Sequence, residues 1–189
     1  MTAPADAFEA ALAIARALDT AGIPYALGGA LAYGQYGIPR ATNDVDVNVF
    51  VPPERLGPVW GALRSLGIAV DEQAAAEAAA RDGLVVLRFG SFRVDVFVPS
   101  IEFSWEAART RVSHVLEGTP VWFLSAEALC LFKLLFFRTK DVADLERLIA
   151  VSGETLDAAY VRARLVEMVG ADDPRVATWD RLWRTHRPH

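Results

Sequence analysis

Thr42-Asn43-Asp44-Val45-Asp46-Val47-Asn48-Val49 alternates polar and branched apolar residues. That is the period-2 pattern of a half-buried β-strand. Residues two apart on a strand point to the same face. Asp44, Asp46 and Asn48 are therefore predicted to form one row, with Val45, Val47 and Val49 facing a core. Neighbouring carboxylates repel unless a cation lies between them. A hard divalent cation held by oxygen ligands meets that need. The alternative is an exposed acidic row that discourages edge-to-edge aggregation, although like charges on one face cost stability when no partner neutralises them.

Upstream, Phe8, Leu12, Ala15 and Leu18 recur at helical spacing within residues 3–21, and Gly22 suits the position past a helix end. A short strand is expected over Ile23 to Leu27, then Gly28-Gly29, then a short helix from Ala30 to about Tyr36, broken by Gly37-Ile38-Pro39. Downstream, Pro52-Pro53-Glu54 is expected to open a helix whose apolar stripe is Leu56, Val59, Trp60, Leu63 and Leu66. Ala74 to Arg81 is helix-prone. Leu84–Phe89 and Phe92–Val98 read as a hairpin around Gly90-Ser91. In its second strand Arg93, Asp95 and Phe97 share one face. A helix near Trp105–Arg109 and two short strands are expected before Leu124. From Ser125, a capping residue, the pattern turns helical: to Phe137, then Asp141–Ala150, Thr155–Val169 and Asp173–Trp183.

The chain of 189 residues suits one domain, or one core with a helical extension. The expected division is residues 1–124 as a core and residues 125–189 as a helical region packed on it. Hydrophobic residues make up 53 %, enough for a sizeable core. With 19 Lys plus Arg against 24 Asp plus Glu, the net charge of −5 argues against a bulk nucleic-acid coat protein but not against a local basic groove. The single cysteine, Cys130, excludes an internal disulfide framework and sits among apolar neighbours that suggest core packing. The N-terminal stretch carries Asp6 and Glu9 in place of a basic cluster, and no apolar run approaches the length of a membrane span. A cytoplasmic location is the expectation.

Four features combine. Gly28-Gly29 lies between a strand and a helix, where glycine allows close approach by a ligand and a helix N-terminus offers N–H groups to phosphate; an ordinary tight turn would read the same way. Arg40-Ala41-Thr42 runs directly into the acids, and Arg40 could bind phosphate, brace a carboxylate or simply be solvated. Asp44 and Asp46 share a strand face. Asp95 becomes a third carboxylate if its strand pairs near theirs. Three carboxylates can hold two metal ions that clamp attacking and leaving oxygens, and the third can also accept the proton of an attacking hydroxyl. His114, His186 and His189 show no metal-ligand spacing, and neither a Walker A nor a Rossmann fingerprint occurs.

Gly28-Gly29, then Asp44-Val45-Asp46, then Asp95 on a later strand resembles the nucleotidyltransferase fold of the DNA polymerase beta superfamily. The stretch from Gly28 to Gly34, continued by Arg40-Ala41-Thr42-Asn43-Asp44-Val45-Asp46, more narrowly resembles minimal bacterial nucleotidyltransferases related to abortive-infection type toxins. In those proteins a lysine-bearing helix precedes an acidic one, as Lys133 to Asp141 and then Asp144 do here. The resemblance spans roughly residues 23–150. It implies an α+β fold, a small mixed sheet flanked by helices with a C-terminal helical extension. It also implies transfer of a nucleoside monophosphate from an NTP to an acceptor hydroxyl with release of pyrophosphate. Asp44, Asp46 and Asp95 would bind two Mg²⁺ ions, with Mn²⁺ as a substitute, and Asp95 would serve as general base. Gly28, Gly29, Arg40, Thr42, Lys133 and Lys140 would contact the triphosphate. Lys133 could equally be a snorkelling side chain, and Lys140 with Asp141 an ordinary solvated pair.

The acceptor would be RNA or protein, as for a toxin with a cognate antitoxin, or a small molecule such as an antibiotic; a catalytically silent nucleotide-binding or interaction protein is the third reading. Many superfamily members have Gly-Ser where this chain has Gly28-Gly29, and many are more basic.

Overall fold

The structure, a computed structural model, describes residues 3–36, 39 and 41–187. The chain divides into two compact units. One comprises residues 1–32 and 40–124, the other residues 33–39 and 125–189.

The first unit is organised by one mixed sheet. Its strands are β1 (Tyr25–Leu27), β2 (Asp44–Val49), β3 (Leu84–Phe89), β4 (Phe92–Phe97), β5 (Val112–Leu116) and β6 (Thr119–Phe123). They lie in the order β3-β4-β2-β1-β6-β5. Parallel pairing joins β2 to β4 and β1 to β6, while β1–β2, β3–β4 and β5–β6 are antiparallel. The β3–β4 hairpin turns at Gly90, whose φ of +60° is open to glycine at little cost.

The acidic stretch is therefore an interior strand. Val45, Val47 and Val49 are essentially buried, together with Tyr25, Leu27, Val94 and Val96 from its neighbours. Helix α1 (Ala7–Thr20) packs against β1, β2 and β6 and against α3 (Gly57–Ser65). Asp6 caps α1 by accepting a hydrogen bond from the Glu9 N–H at 2.8 Å. The expected helix opening at Pro52-Pro53 is instead a 3-10 turn over Pro53–Arg55, and α3 starts four residues later. Pro58 is the proline in its first turn, the position where a missing N–H costs nothing. Helix α4 (Glu72–Asp82) packs on β3, and α5 (Phe103–Thr110) precedes β5.

The second unit is helical. Its elements are α6 (Ala126–Phe136), α7 (Thr139–Ser152), α8 (Ala158–Val169) and α9 (Pro174–His186). Packing joins α6 to α7 and α8, and α9 to α6, α7 and α8. Leu131, Leu134, Leu145, Leu148, Leu165 and Trp179 fill the interior. Ser125 caps α6 through the Ala128 N–H at 3.1 Å. Cys130 is a fully buried thiol, and burial pushes its pKa up. The connecting helix α2 (Gly29–Gln35) begins in the sheet unit and ends in the helical one.

No described helix is long and apolar enough to cross a membrane.

Candidate active site

The register of the central strands decides which polar groups meet. Opposite Asp44 on β2 is Arg93 on β4; opposite Asp46 is Asp95; opposite Asn48 is Phe97. Paired residues project to the same face, with backbones roughly 4.8 Å apart. The next strand continues the rows, since β3 sets Arg88 against Arg93 and Val86 against Asp95. The non-core face of the sheet therefore carries the rows Asp44–Arg93–Arg88, Asp46–Asp95–Val86 and Asn48–Phe97–Leu84. The row predicted for β2 is present, and the pairing that makes Asp95 its neighbour is present as well.

Asp46 stands at the centre. The strand-to-helix turn is hydrogen-bonded to its backbone, the Gly28 N–H donating to the Asp46 carbonyl at 2.8 Å. The Gly28 carbonyl accepts the first bond of α2, from Ala32 N–H at 3.1 Å. Gly29 follows with φ +52°, in the left-handed region. A Cβ on Gly29 would lie 1.8 Å from Asp46 Oδ2 and 2.5 Å from its Cγ. A Cβ on Gly28 would lie 2.9 Å from Asn48 Nδ2. The second glycine is thus needed twice, for its backbone angle and for the space its missing side chain leaves to the carboxylate. The space a side chain on Gly29 would take is filled by the Asp46 carboxylate. Asn48 is buried and its side-chain amide donates to the Ala26 carbonyl at 3.4 Å.

Asp95 is bonded within its own strand. Arg93 Nε donates to Asp95 Oδ1 at 2.7 Å, with the carboxylate 14 % exposed and the guanidinium 47 %. The bond to Asp95 raises the Arg93 pKa above its ordinary value, and the charge of Asp95 and then of Asp44 and Asp46 adds to it. One guanidinium therefore sits in the field of all three acids. Sequence reading placed Arg93 on this face without giving it a role. The i, i+2 spacing to Asp95 was the available signal; that Asp44 would be its cross-strand neighbour depended on register.

Thr42 turns the chain into β2. Its hydroxyl accepts from the Asp44 N–H at 3.0 Å and donates to the Asp44 carbonyl at 3.1 Å. That hydroxyl braces backbone. Arg40 lies outside the described residues.

Lys133 and Lys140 belong to the helical unit. Lys133 is buried and does not snorkel: its Nζ lies 2.5 Å from Asp144 Oδ2, 3.9 Å from Asp141 Oδ1 and 5.4 Å from the centre of the Tyr33 ring. The Tyr33 hydroxyl donates to the Asp144 backbone carbonyl at 2.6 Å. Arg138 closes the network on Asp141 at 2.6 Å. A phosphate reaching Lys133 would have to compete with the Asp144 carboxylate. Lys140 is exposed in the first turn of α7.

The face bears on metal binding in two ways. Among the described residues, no three carboxylate, imidazole or thiolate groups converge as a ready-made metal site. Yet Asp44 and Asp46 are adjacent hard oxygen donors on a rigid strand, backed by a glycine cradle, which is the donor chemistry a divalent cation of the Mg²⁺ type takes. Asp44 and Asp46 fit such an ion; Asp95 is committed to Arg93.

No family model and no curated protein matches the chain. Solved structures do. The chain is similar to the antibiotic-resistance factor ANT(2'')-Ia in complex with adenylyl-2''-tobramycin, with TM-score 0.51 and 20 % identity over 92 % of this chain and 94 % of that one. It is similar to the same factor's solution structure, with TM-score 0.50 and 16 % identity over 92 % and 89 %. An antigenic nucleotidyltransferase-like protein from Paracoccidioides brasiliensis aligns at TM-score 0.49 and 17 % identity over 93 % and 94 %. The mixed sheet flanked by helices is the nucleotidyltransferase fold.

Proposed function

We propose that this protein is a metal-dependent nucleotidyltransferase, moving a nucleoside monophosphate from an NTP to an acceptor hydroxyl. The observation that carries the reading is the placement of Asp46 opposite Asp95 on paired central strands, with Gly28-Gly29 folded against Asp46. The fold shared with nucleotidyltransferases supports it.

Asp44 and Asp46 would hold the divalent cation, which supplies charge neutralisation to the triphosphate. Gly28 and Gly29 leave room for the Asp46 carboxylate and would border the triphosphate. Asp95 accepts the proton of the acceptor hydroxyl as its oxygen bonds to the α-phosphorus. The bond from that phosphorus to the bridging oxygen breaks, and pyrophosphate leaves with the electron pair. Most of the remaining work is positioning and electrostatics.

The residues around Asp95 bear on the acceptor. Arg93 and Arg88 lie on its strand and the neighbouring one, and Val86, 50 % exposed, is directly opposite it. Two guanidinium groups beside the proton acceptor favour an acceptor bearing phosphate, such as an RNA end, over a polycationic antibiotic. The toxin-type reading would follow if that RNA is essential.

The test incubates the protein with α-labelled NTPs and Mg²⁺, offering total RNA, protein extract and aminoglycosides separately. Label should enter the RNA fraction. Asp95→Asn should slow transfer by about 10²- to 10⁴-fold, the usual contribution of a positioned base. Absence of transfer to every acceptor, or transfer indifferent to Asp46→Asn, would sink the catalytic reading; label on aminoglycoside alone would sink the anionic-acceptor reading.

A further inference from the structure

Three carboxylates on one sheet face invite a site for two divalent cations. The register places a guanidinium among them. Arg93 is the cross-strand neighbour of Asp44 and the same-face neighbour of Asp95, on the strand beside Asp46. Its Nε bonds Asp95 Oδ1 at 2.7 Å, and Asp95 is mostly withdrawn from water. A guanidinium cannot be deprotonated in a protein, so its charge is a fixed part of the face. The backbone reinforces its position: the Arg93 N–H donates to the Asn43 carbonyl at 3.1 Å, tying β4 to the entry of β2. The described acids therefore already have one cation among them, and three carboxylates do not converge on any further point.

Resting on the nucleotidyl-transfer reading, we propose that Arg93 is a resident cation that takes the place of a second metal ion at Asp95, so that the site holds one divalent cation, at Asp44 and Asp46. Arg93 is then a positioning residue. It holds Asp95 by Oδ1 beside Asp46, so that Oδ2 meets the acceptor proton. The device trades a second exchangeable ion for a fixed group that cannot dissociate.

The test counts bound Mn²⁺ by electron paramagnetic resonance on the whole chain, without nucleotide, in the wild type, Arg93→Gln and Arg93→Lys. The wild type should bind one ion and Arg93→Gln two, because Asp95 becomes available to metal. Arg93→Lys keeps the charge and should bind one, and it guards against a folding defect in the glutamine variant. Melting temperatures give a second readout: Arg93→Gln should be the less stable without metal and recover toward the wild type as Mn²⁺ is added. Two ions in the wild type, or one in both the wild type and Arg93→Gln, would overturn the role of Arg93 and leave nucleotidyl transfer standing. No bound ion in any of the three would overturn both.

Discussion

Gly29 is where the site is most sensitive to a single atom. Its φ of +52° is costly for any residue with a Cβ, and the Cβ would meet Asp46 Oδ2 at 1.8 Å. The Gly29→Ala variant is expected to lose about 1–2 kcal/mol of stability from the backbone alone. Its larger effect falls on Asp46, whose carboxylate must swing aside, so Mn²⁺ affinity should drop together with transfer. Urea unfolding and metal titration on the same variant separate the two; an alanine protein with unchanged metal affinity would show that the cradle does not position Asp46. At this scale the sequence was readable where a residue type admits few uses. Alternating aspartate and valine in an apolar chain has few packings. Arg93 was harder, because arginine on a strand is ordinarily a solvated side chain, and only the register with Asp44 makes it part of the site.

Among the elements, α6 and α7 carry the buried pair Lys133–Asp144, with side chains 9 % and 8 % exposed. Removing one partner of such a buried pair costs about 3–5 kcal/mol. Lys133→Met should therefore destabilise strongly. The double variant Lys133→Met, Asp144→Leu should recover much of the loss, a pattern that chemical denaturation reads directly and that phosphate binding by Lys133 would not produce. A lone lysine in an apolar helix signals a constrained charge, but its partner lies on the next helix and cannot be read from one stretch.

Helix α9 offers a pH-dependent case. Asp173 caps it, accepting from Arg175 N–H at 2.9 Å and from the Arg175 guanidinium at 2.8 Å, and these bonds hold its pKa at about 2, below the ordinary 3.8. A depressed folded pKa contributes stability above the unfolded value and loses it as pH falls through the folded one. Asp173→Asn keeps a capping oxygen but not the charge. Its deficit in melting temperature should be full near neutrality and should shrink from about pH 4 to about pH 2. A deficit that does not change with pH would assign the whole effect to geometry. The start of α3 shows the opposite limit of legibility: two prolines marked a helix start, while the chain takes a 3-10 turn there and begins the helix at Gly57, before a third.

Over the whole molecule, charge opposes polyanions while the site face carries two arginines. The net charge is −5 and the pI about 5.2. Long-range attraction cannot bring RNA to such a protein, so any affinity for it must come from a few local contacts. This gives the anionic-acceptor reading a quantitative form. Each phosphate neutralised on single-stranded RNA adds about 0.7 to the slope of log affinity against log salt. With Arg88 as the contact and Arg93 held by Asp95, the slope for RNA acceptor should be about 0.7 in magnitude. Arg88→Gln should bring it near zero while leaving the metal count unchanged, because Arg88 bonds the Ser91 carbonyl at 3.4 Å and not a carboxylate of the site. Transfer rates at limiting RNA across a salt series measure both slopes. A steep slope would place the RNA contacts elsewhere on the chain, and a slope of zero would remove phosphate from acceptor recognition altogether.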